Sequence, residues 1–484
     1  MRLQSLLILF FCILTQSART QTIKNGDFET GNITAWEVSN PSTFNQSASA
    51  GYAFTITNDP AKQNNTVVHL SSTVNSQWFQ FRQRLAYRAT DILEKLRLSA
   101  DVKIKSKQFA SANLSARVLK ATKSYGLFET SLIDNHDWQR ISVDFLVTPM
   151  TDSIKVFFVM KGEGEVWFDN VVLEKIKTDK IENSATAKMY LDTAISIISK
   201  NALYKDSVDF GSLVTYSKVI AADAKTPADC YGAIRYVLEG LGDHHSFFQT
   251  AAQASILDRA DDTLMPMPSS KCIGSTIGYL KIPQCMAINP AMERKYADSL
   301  KRVIQLIDNR SIVGWIVDDR DNTGGNCWPM LLGLGPILGD GVFERVKKNG
   351  VVIDSTGYWN GEVRGKDSIV IKTDVPYVLY KPFPKIALLM NGMSGSSGES
   401  VILSFKYRPK TKLFGEPSYG ATTGNLDFKL SDGAMIFVCA GKMTDRLGNA
   451  YGGKLFPDIA VEDNDSTSND EVVDAAVKWL KAKK

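Results

Sequence analysis

The apolar residues in the first third of the chain alternate, and this constrains the fold more than any other feature. Ala100, Val102 and Ile104 lie on one side of the stretch Ser99–Ser106. Ile141, Val143, Phe145 and Val147 repeat the pattern, as do Ile154, Val156 and Phe158. Successive side chains of a strand point to opposite faces, so each run encodes a strand with one buried face. Gly, Asn and Asp separate the runs, as turns require. Residues 23–176 are expected to form an all-β sandwich.

The period then changes. In a segment spanning 180–262, Leu191, Ala194, Ile195 and Ile198 recur at helical spacing. A later helix is predicted to open with Thr226 as N-cap, Pro227 in the first turn and Asp229 behind it. Ile234, Val237, Leu238 and Leu241 form its stripe, and Gly240 and Gly242 can end it. Asp243-His244-His245-Ser246 follows at once. Residues 270–465 read as α/β: strands over Thr276–Ile282, Ile312–Val317 and Lys385–Met390, and helices over Pro290–Asp308 and Ser396–Phe405. Residues 468–484 carry a last helix, Asn469–Lys481, with Val472, Val473, Ala476 and Leu480 inward.

Composition narrows the function classes. The 484 residues carry a net charge of +4 with no dense Lys/Arg run, which argues against a nucleic-acid partner. Arg2 precedes nine apolar residues, Leu6–Leu14, and polar Thr15, Gln16 and Ser17 follow. A spanning helix needs about 20 apolar residues, so residues 1–22 read as a signal peptide rather than a transmembrane anchor. Cys12 lies inside that apolar run. The expected destination is outside the cytoplasm: periplasmic, cell-surface or secreted. Five cysteines follow the signal: Cys230, Cys272, Cys285, Cys327 and Cys439. The number is odd and no CxxC occurs, so neither a zinc site nor a disulfide framework is expected. Cys272–Cys285 is the nearest pair should one bridge form.

Three segments carry candidate chemistry. Asp318-Asp319-Arg320-Asp321-Asn322-Thr323-Gly324-Gly325 follows a buried strand, and its paired glycines let backbone amides approach a ligand. Asn391-Gly392-Met393-Ser394-Gly395-Ser396-Ser397-Gly398-Glu399 stands between a strand and a helix, where a serine is held exposed. Of the four histidines, His69 and His136 fall in the sandwich, so only His244 or His245 can serve the α/β region as a base from its own half. A serine hydroxyl needs such a base at neutral pH.

Together these segments resemble the tail-specific, or C-terminal-processing, serine protease family. Asp318–Gly325 matches that family's Asp-Leu-Arg-x-Asn-x-Gly-Gly, except that Asp319 replaces the Leu. Ser396-Ser397-Gly398-Glu399, Gly415-Glu416-Pro417-Ser418-Tyr419-Gly420 and Pro457-Asp458-Ile459 match three further motifs. The processing enzymes place a Lys base after the Gly-Glu-Pro turn, whereas here that position is Ala421. His245-Ser246, Gly325–Met330 and Gly335–Gly341 resemble the branch that includes nisin-resistance protein, which uses a histidine and lacks a PDZ domain.

The resemblance implies a ClpP/crotonase-like protease core, Ser396 as nucleophile and His245 as base. It also implies an oxyanion hole from the amides of Ser397 and of Gly324 or Gly325. Glu399 or Asp243 would orient the histidine. The partner would be a peptide or protein, and no metal-ligand spacing such as HExxH occurs.

Asn25-Gly26-Asp27-Phe28-Glu29 with Trp36, and Val166–Val171, resemble the ends of a jelly-roll carbohydrate-binding or galactose-binding-like domain. That likeness implies a glycan partner, with Trp78, Phe79 and Phe81 as stacking candidates, and leaves room for a structural calcium ion. The rival reading is a glycan-binding surface protein with a degenerate protease domain. The intact Ser396, His245 and Gly-Gly set favours the peptidase.

Overall fold

The computed structural model describes residues 23–39, 52–59, 64–73, 78–88, 94–120, 123–147, 151–176, 182–258, 265–287, 289–462 and 469–482. The signal-peptide expectation for residues 1–22 and the side chains of Trp78 and Phe79 lie outside the described residues.

Two long strands, Glu94–Lys120 and Ser153–Lys175, pair along nearly their whole length and organise the N-terminal region. Three register shifts let them curl, since an extra residue in one strand bends a ladder. Four shorter strands pair onto them and two more pair onto those, giving one eight-stranded sheet wrapped around its own apolar face. The alternation is realised: Ala100, Val102, Ile154, Val156 and Phe158 are fully buried. Trp36 stacks on Phe81 at 4.5 Å, and Phe158 meets Phe168 at 4.1 Å. Phe81 is therefore core rather than a sugar platform, because its face of the strand points into the curl. The two ends of the region meet where Val171 N donates to Gly26 O at 2.8 Å. A Cβ on Gly26 would lie 2.3 Å from Val171 O, so only glycine fits there. Asp101 and Asp169 accept bonds from Asn65, Asn170 and Arg140. Among the described residues no group of three His, Cys, Asp or Glu side chains could hold a metal ion.

The helical segment does not stand apart from this sandwich. Helix Ala185–Asn201, capped by Ser184, buries Leu191, Ala194, Ile195 and Ile198. Thr226 is not the cap expected. Its amide and hydroxyl both donate to Asp229, and a 3₁₀ turn leads into helix Tyr231–Gly240. On that helix Gly232 lies against the Phe128 ring of the sandwich, 2.2 Å from where a Cβ would sit. Arg235 meets Glu129 at 2.6 Å, both nearly buried. Sandwich, helices and Leu430, Ala434, Ile436 and Val438 form one continuous apolar cluster.

The C-terminal half has two sheets. Strands Ile277–Lys281, Gly314–Asp318, Lys385–Met390, Thr411–Gly415 and Ile459–Ala460 run parallel in that order, with Ser269–Ile273 antiparallel at the edge. Both faces are covered, and the central strands Gly314–Asp318 and Lys385–Met390 accordingly carry near-continuous apolar runs. Trp315, Val317, Ile386, Leu388 and Met390 pack with the helices Pro290–Ile307, Cys327–Leu338 and Ser397–Phe405. Ile316, Ala387 and Leu389 pack on the last helix, Glu471–Lys481. The second sheet is antiparallel. In it Thr423–Lys429 pairs with Met435–Met443, which also pairs with the short strand Phe247–Gln249. No bridge joins Cys272 and Cys285: Cys272 is exposed at the sheet edge and Cys285 is buried.

Candidate active site

Ser396 follows the central strand Lys385–Met390 and caps helix Ser397–Phe405. Its backbone has φ 54° and ψ −115°, a costly conformation for a residue with a side chain. Such strain persists only where the surroundings enforce it. Here Gly395 N donates to Asn322 O, Ser396 N to Glu399 Oε2, and Ser400 N to Ser396 O. The turn carries Ser396 beyond the C-terminal end of the central strand, where it is only partly covered.

His245 reaches the same point from the other sheet. The pairing of Phe247–Gln249 with Met435–Phe437 fixes the chain just after it. Asp243 fixes the chain around it, accepting from His245 N, Ser246 N and Ser246 Oγ at 2.6–2.9 Å. Ser246 Oγ in turn accepts from Cys439 N, and Asn425 Nδ2 donates to His245 O. His245 Nε2 thus lies 2.9 Å from Ser396 Oγ across 151 residues of sequence. His244, in the left-handed region with φ 57°, is exposed.

The partner of His245 Nδ1 is neither of the carboxylates expected. It is Thr423 Oγ1, at 2.8 Å. Thr423 lies 3.1 Å from Cys439 Sγ, which can take the threonine proton and leave its lone pairs for the imidazole. Nothing in the local sequence marks Thr423. The only signal is a polar pair, Thr422-Thr423, opening a strand after the Gly-Glu-Pro turn. Glu399 is fully buried and accepts from Ser396 N, Ser418 Oγ and Gly420 N. Burial pushes its carboxyl above the usual range, and those donors oppose the shift. It braces the serine turn against the Gly415–Gly420 turn instead of touching the imidazole. Burial also lowers the His245 pKa below 6.5, with Asp243 pulling weakly the other way.

The Gly-Gly turn closes the site. Gly324 and Gly325 have φ of 109° and 103°. A Cβ on Gly324 would lie 2.8 Å from Ser396 Cβ, so the glycine is what lets this strand end approach the serine. Gly324 N donates to Asn322 Oδ1 at 3.1 Å. Gly325 O accepts from Ser397 Oγ at 2.6 Å. Among the described residues, the amides of Gly325 and Ser397 have no hydrogen-bond partner. Ala421, directly after the Gly415–Gly420 turn, is buried.

Comparison with known proteins bears on this half of the chain. The model of Peptidase family S41 matches residues 276–461. Nisin-resistance protein of Lactococcus lactis subsp. lactis is 28% identical over 295 residues, covering 60% of this chain and 86% of the relative. A lipoprotein from Streptococcus agalactiae shares the fold. It superposes with a TM-score of 0.52 at 23% identity, over 63% of this chain and 99% of the other. At the N-terminal end a carbohydrate-binding module solved with a galactotriose superposes with a TM-score of 0.23 at 13% identity, covering 32% of this chain and 97% of the module. Residues 276–461 are a peptidase family S41 domain, and the chain is a serine-type peptidase.

Proposed function

We propose that this chain is an exported endopeptidase that cleaves peptide bonds with a Ser396–His245 dyad. One observation carries the reading: Ser396 Oγ stands 2.9 Å from His245 Nε2, with Nδ1 held by Thr423. A proton on Nδ1 facing Thr423 Oγ1 leaves Nε2 free to accept. Ser396 Oγ then bonds to the peptide carbonyl carbon as its proton passes to Nε2. The carbonyl oxygen gains charge and is met by the unengaged amides of Ser397 and Gly325, donors that cost no reorganisation at that moment. Gly324, already bonded to Asn322, is the weaker candidate. His245 returns the proton to the leaving amine as the C–N bond breaks, and water repeats the sequence on the acyl ester.

Glu399 and Asp243 act through the backbone in this reading, as braces of the two turns. Export is supported by the apolar run Leu6–Leu14 after Arg2. The test is fluorophosphonate labelling of the wild type, Ser396→Ala and His245→Ala. Labelling at Ser396 that needs His245 is expected. Labelling that survives His245→Ala at full rate would remove the dyad.

A further inference from the structure

Beside the dyad lies a cleft of about 610 Å³ lined by Tyr204, Asp243, His244, Tyr419, Gly420 and Lys454, among others. It adjoins the site: the Tyr419 side chain rests against Gly395, next to Ser396, and Asp243-His244 precede His245. One lysine, Lys454, lines it, and a second, Lys442, stands just outside the lining against Gly452. Lys454 packs on Gly420, 3.2 Å from where a Cβ would sit. Lys442 packs on Gly452 at the same distance, beside the Tyr204 hydroxyl. Both lysines are exposed, and among the described residues neither has a carboxylate within ion-pair distance. The one acid in the lining, Asp243, has its oxygens taken by two amides and a hydroxyl.

The sheet itself adds a second observation. Lys442 stands in register with Lys347 across one ladder and with Thr423 across the other. Like charges directly opposite in a ladder are destabilising. Lys347 donates to Gly448 O, a neutral acceptor, so that bond removes no charge from the pair. An anion seated there would relieve that repulsion.

Resting on the dyad reading above, we propose that this cleft is a substrate subsite. It takes an aspartate or glutamate side chain of the peptide, within a few residues of the scissile bond, between Lys442 and Lys454. The preferred substrates are thus acidic peptides.

The test compares quenched-fluorescent peptides that differ only by Glu against Gln at each position flanking the cleaved bond. One position should favour Glu in kcat/KM by about fivefold, the upper end for an exposed ion pair. The preference should fade toward 1 M salt, where the screening length falls to about 3 Å. It should also collapse in K442Q/K454Q. Equal cleavage of Glu and Gln peptides at every position, by enzyme that fluorophosphonate labels at Ser396, would overturn the subsite and leave the dyad intact. A Glu preference without labelling at Ser396 would support the subsite and overturn the dyad. If the double variant does not fold, K454Q alone and the salt series on the wild type decide. A preference indifferent to salt overturns the proposal.

Discussion

Ser396 and His245, the proposed nucleophile and base, are mounted in opposite ways. Ser396 stands on apolar burial: Ile386 to Met390 have no exposed surface, and every residue of the following helix is buried. Parallel neighbours on both sides fix the strand. His245 stands on polar bonds. Asp243, Thr423, Asn425 and the Ser246–Cys439 contact hold a loop between a helix and a three-residue strand. The helix before it, Tyr231–Gly240, belongs to the core shared with the sandwich. The serine is thus set by its own domain, and the histidine by the seam between the halves. Close-packed cores move little, whereas hydrogen-bonded loops open locally at lower cost. The distance between the two groups therefore depends on how the N-terminal half is docked.

The largest expected effects remove the two groups themselves. Ser396→Ala and His245→Ala should each lower kcat/KM by at least about 10³-fold with folding intact by circular dichroism, as in dyads that act as a unit. The next test breaks the comparison at its seam. Phe128→Ala removes a buried ring from Gly232 and should cost about 3–5 kcal/mol in denaturant unfolding. A chain of residues 179–484 exposes that whole face and should lose solubility and peptide hydrolysis together. Full activity in the truncated chain would show that the histidine mount does not need the sandwich.

A smaller effect sharpens the comparison. Thr423→Val keeps the shape and removes the acceptor for Nδ1. A neutral hydrogen bond is worth about 1 kcal/mol net, so kcat should fall roughly fivefold. Thr423→Ser should restore most of it. An unchanged kcat in Thr423→Val would assign the orientation of His245 to its backbone bonds alone.

What the sequence reveals follows the same division. The surroundings of Ser396 are legible because they are local: a short apolar run, a Ser/Gly turn and a helix lie within about twenty residues, and Lys385–Met390 forms the strand expected. The Gly-Gly turn is equally legible after its own strand, though that strand runs Gly314–Asp318 rather than from Ile312. The His245 mount is legible only in part, because its partners come from Thr423, Asn425 and Cys439, 178 or more residues away. No local period records such pairings. Glu399 misled for the opposite reason. One helical turn from Ser396, it has the spacing of an orienting acid, but the strained turn sends its carboxylate to Ser396 N and the Gly415–Gly420 turn. The shared core hides because Gly232 carries no side chain to signal the ring that covers it.

The smallest expected effect concerns pH, and here burial outweighs charge. A carboxylate near an imidazole favours the imidazolium, so Asp243 alone would raise the midpoint. The Asp243 oxygens, however, are engaged with backbone amides and the Ser246 hydroxyl, while the His245 ring is largely enclosed. Desolvation is the larger influence, and it holds the pKa below 6.5. Nε2 must be unprotonated to accept the serine proton, so the acid limb of kcat/KM should fall below pH 6.5, not above it. Stability shares the sign. Between the lowered folded value and the ordinary value, the folded chain binds fewer protons at this site than the unfolded chain. That contribution is complete above about pH 6.5 and is lost as the pH falls through the folded value. Asp243→Asn keeps an acceptor for the loop amides and removes the one charge that raises the pKa, so it should move the limb further down. His244→Ala, at an exposed side chain, should leave both the limb and the labelling rate close to wild type. Rates of fluorophosphonate labelling between pH 4 and 8 measure all three enzymes on one scale. A wild-type midpoint above 6.5 would mean that a carboxylate faces the ring in solution, and that the polar mount is looser than its hydrogen bonds imply.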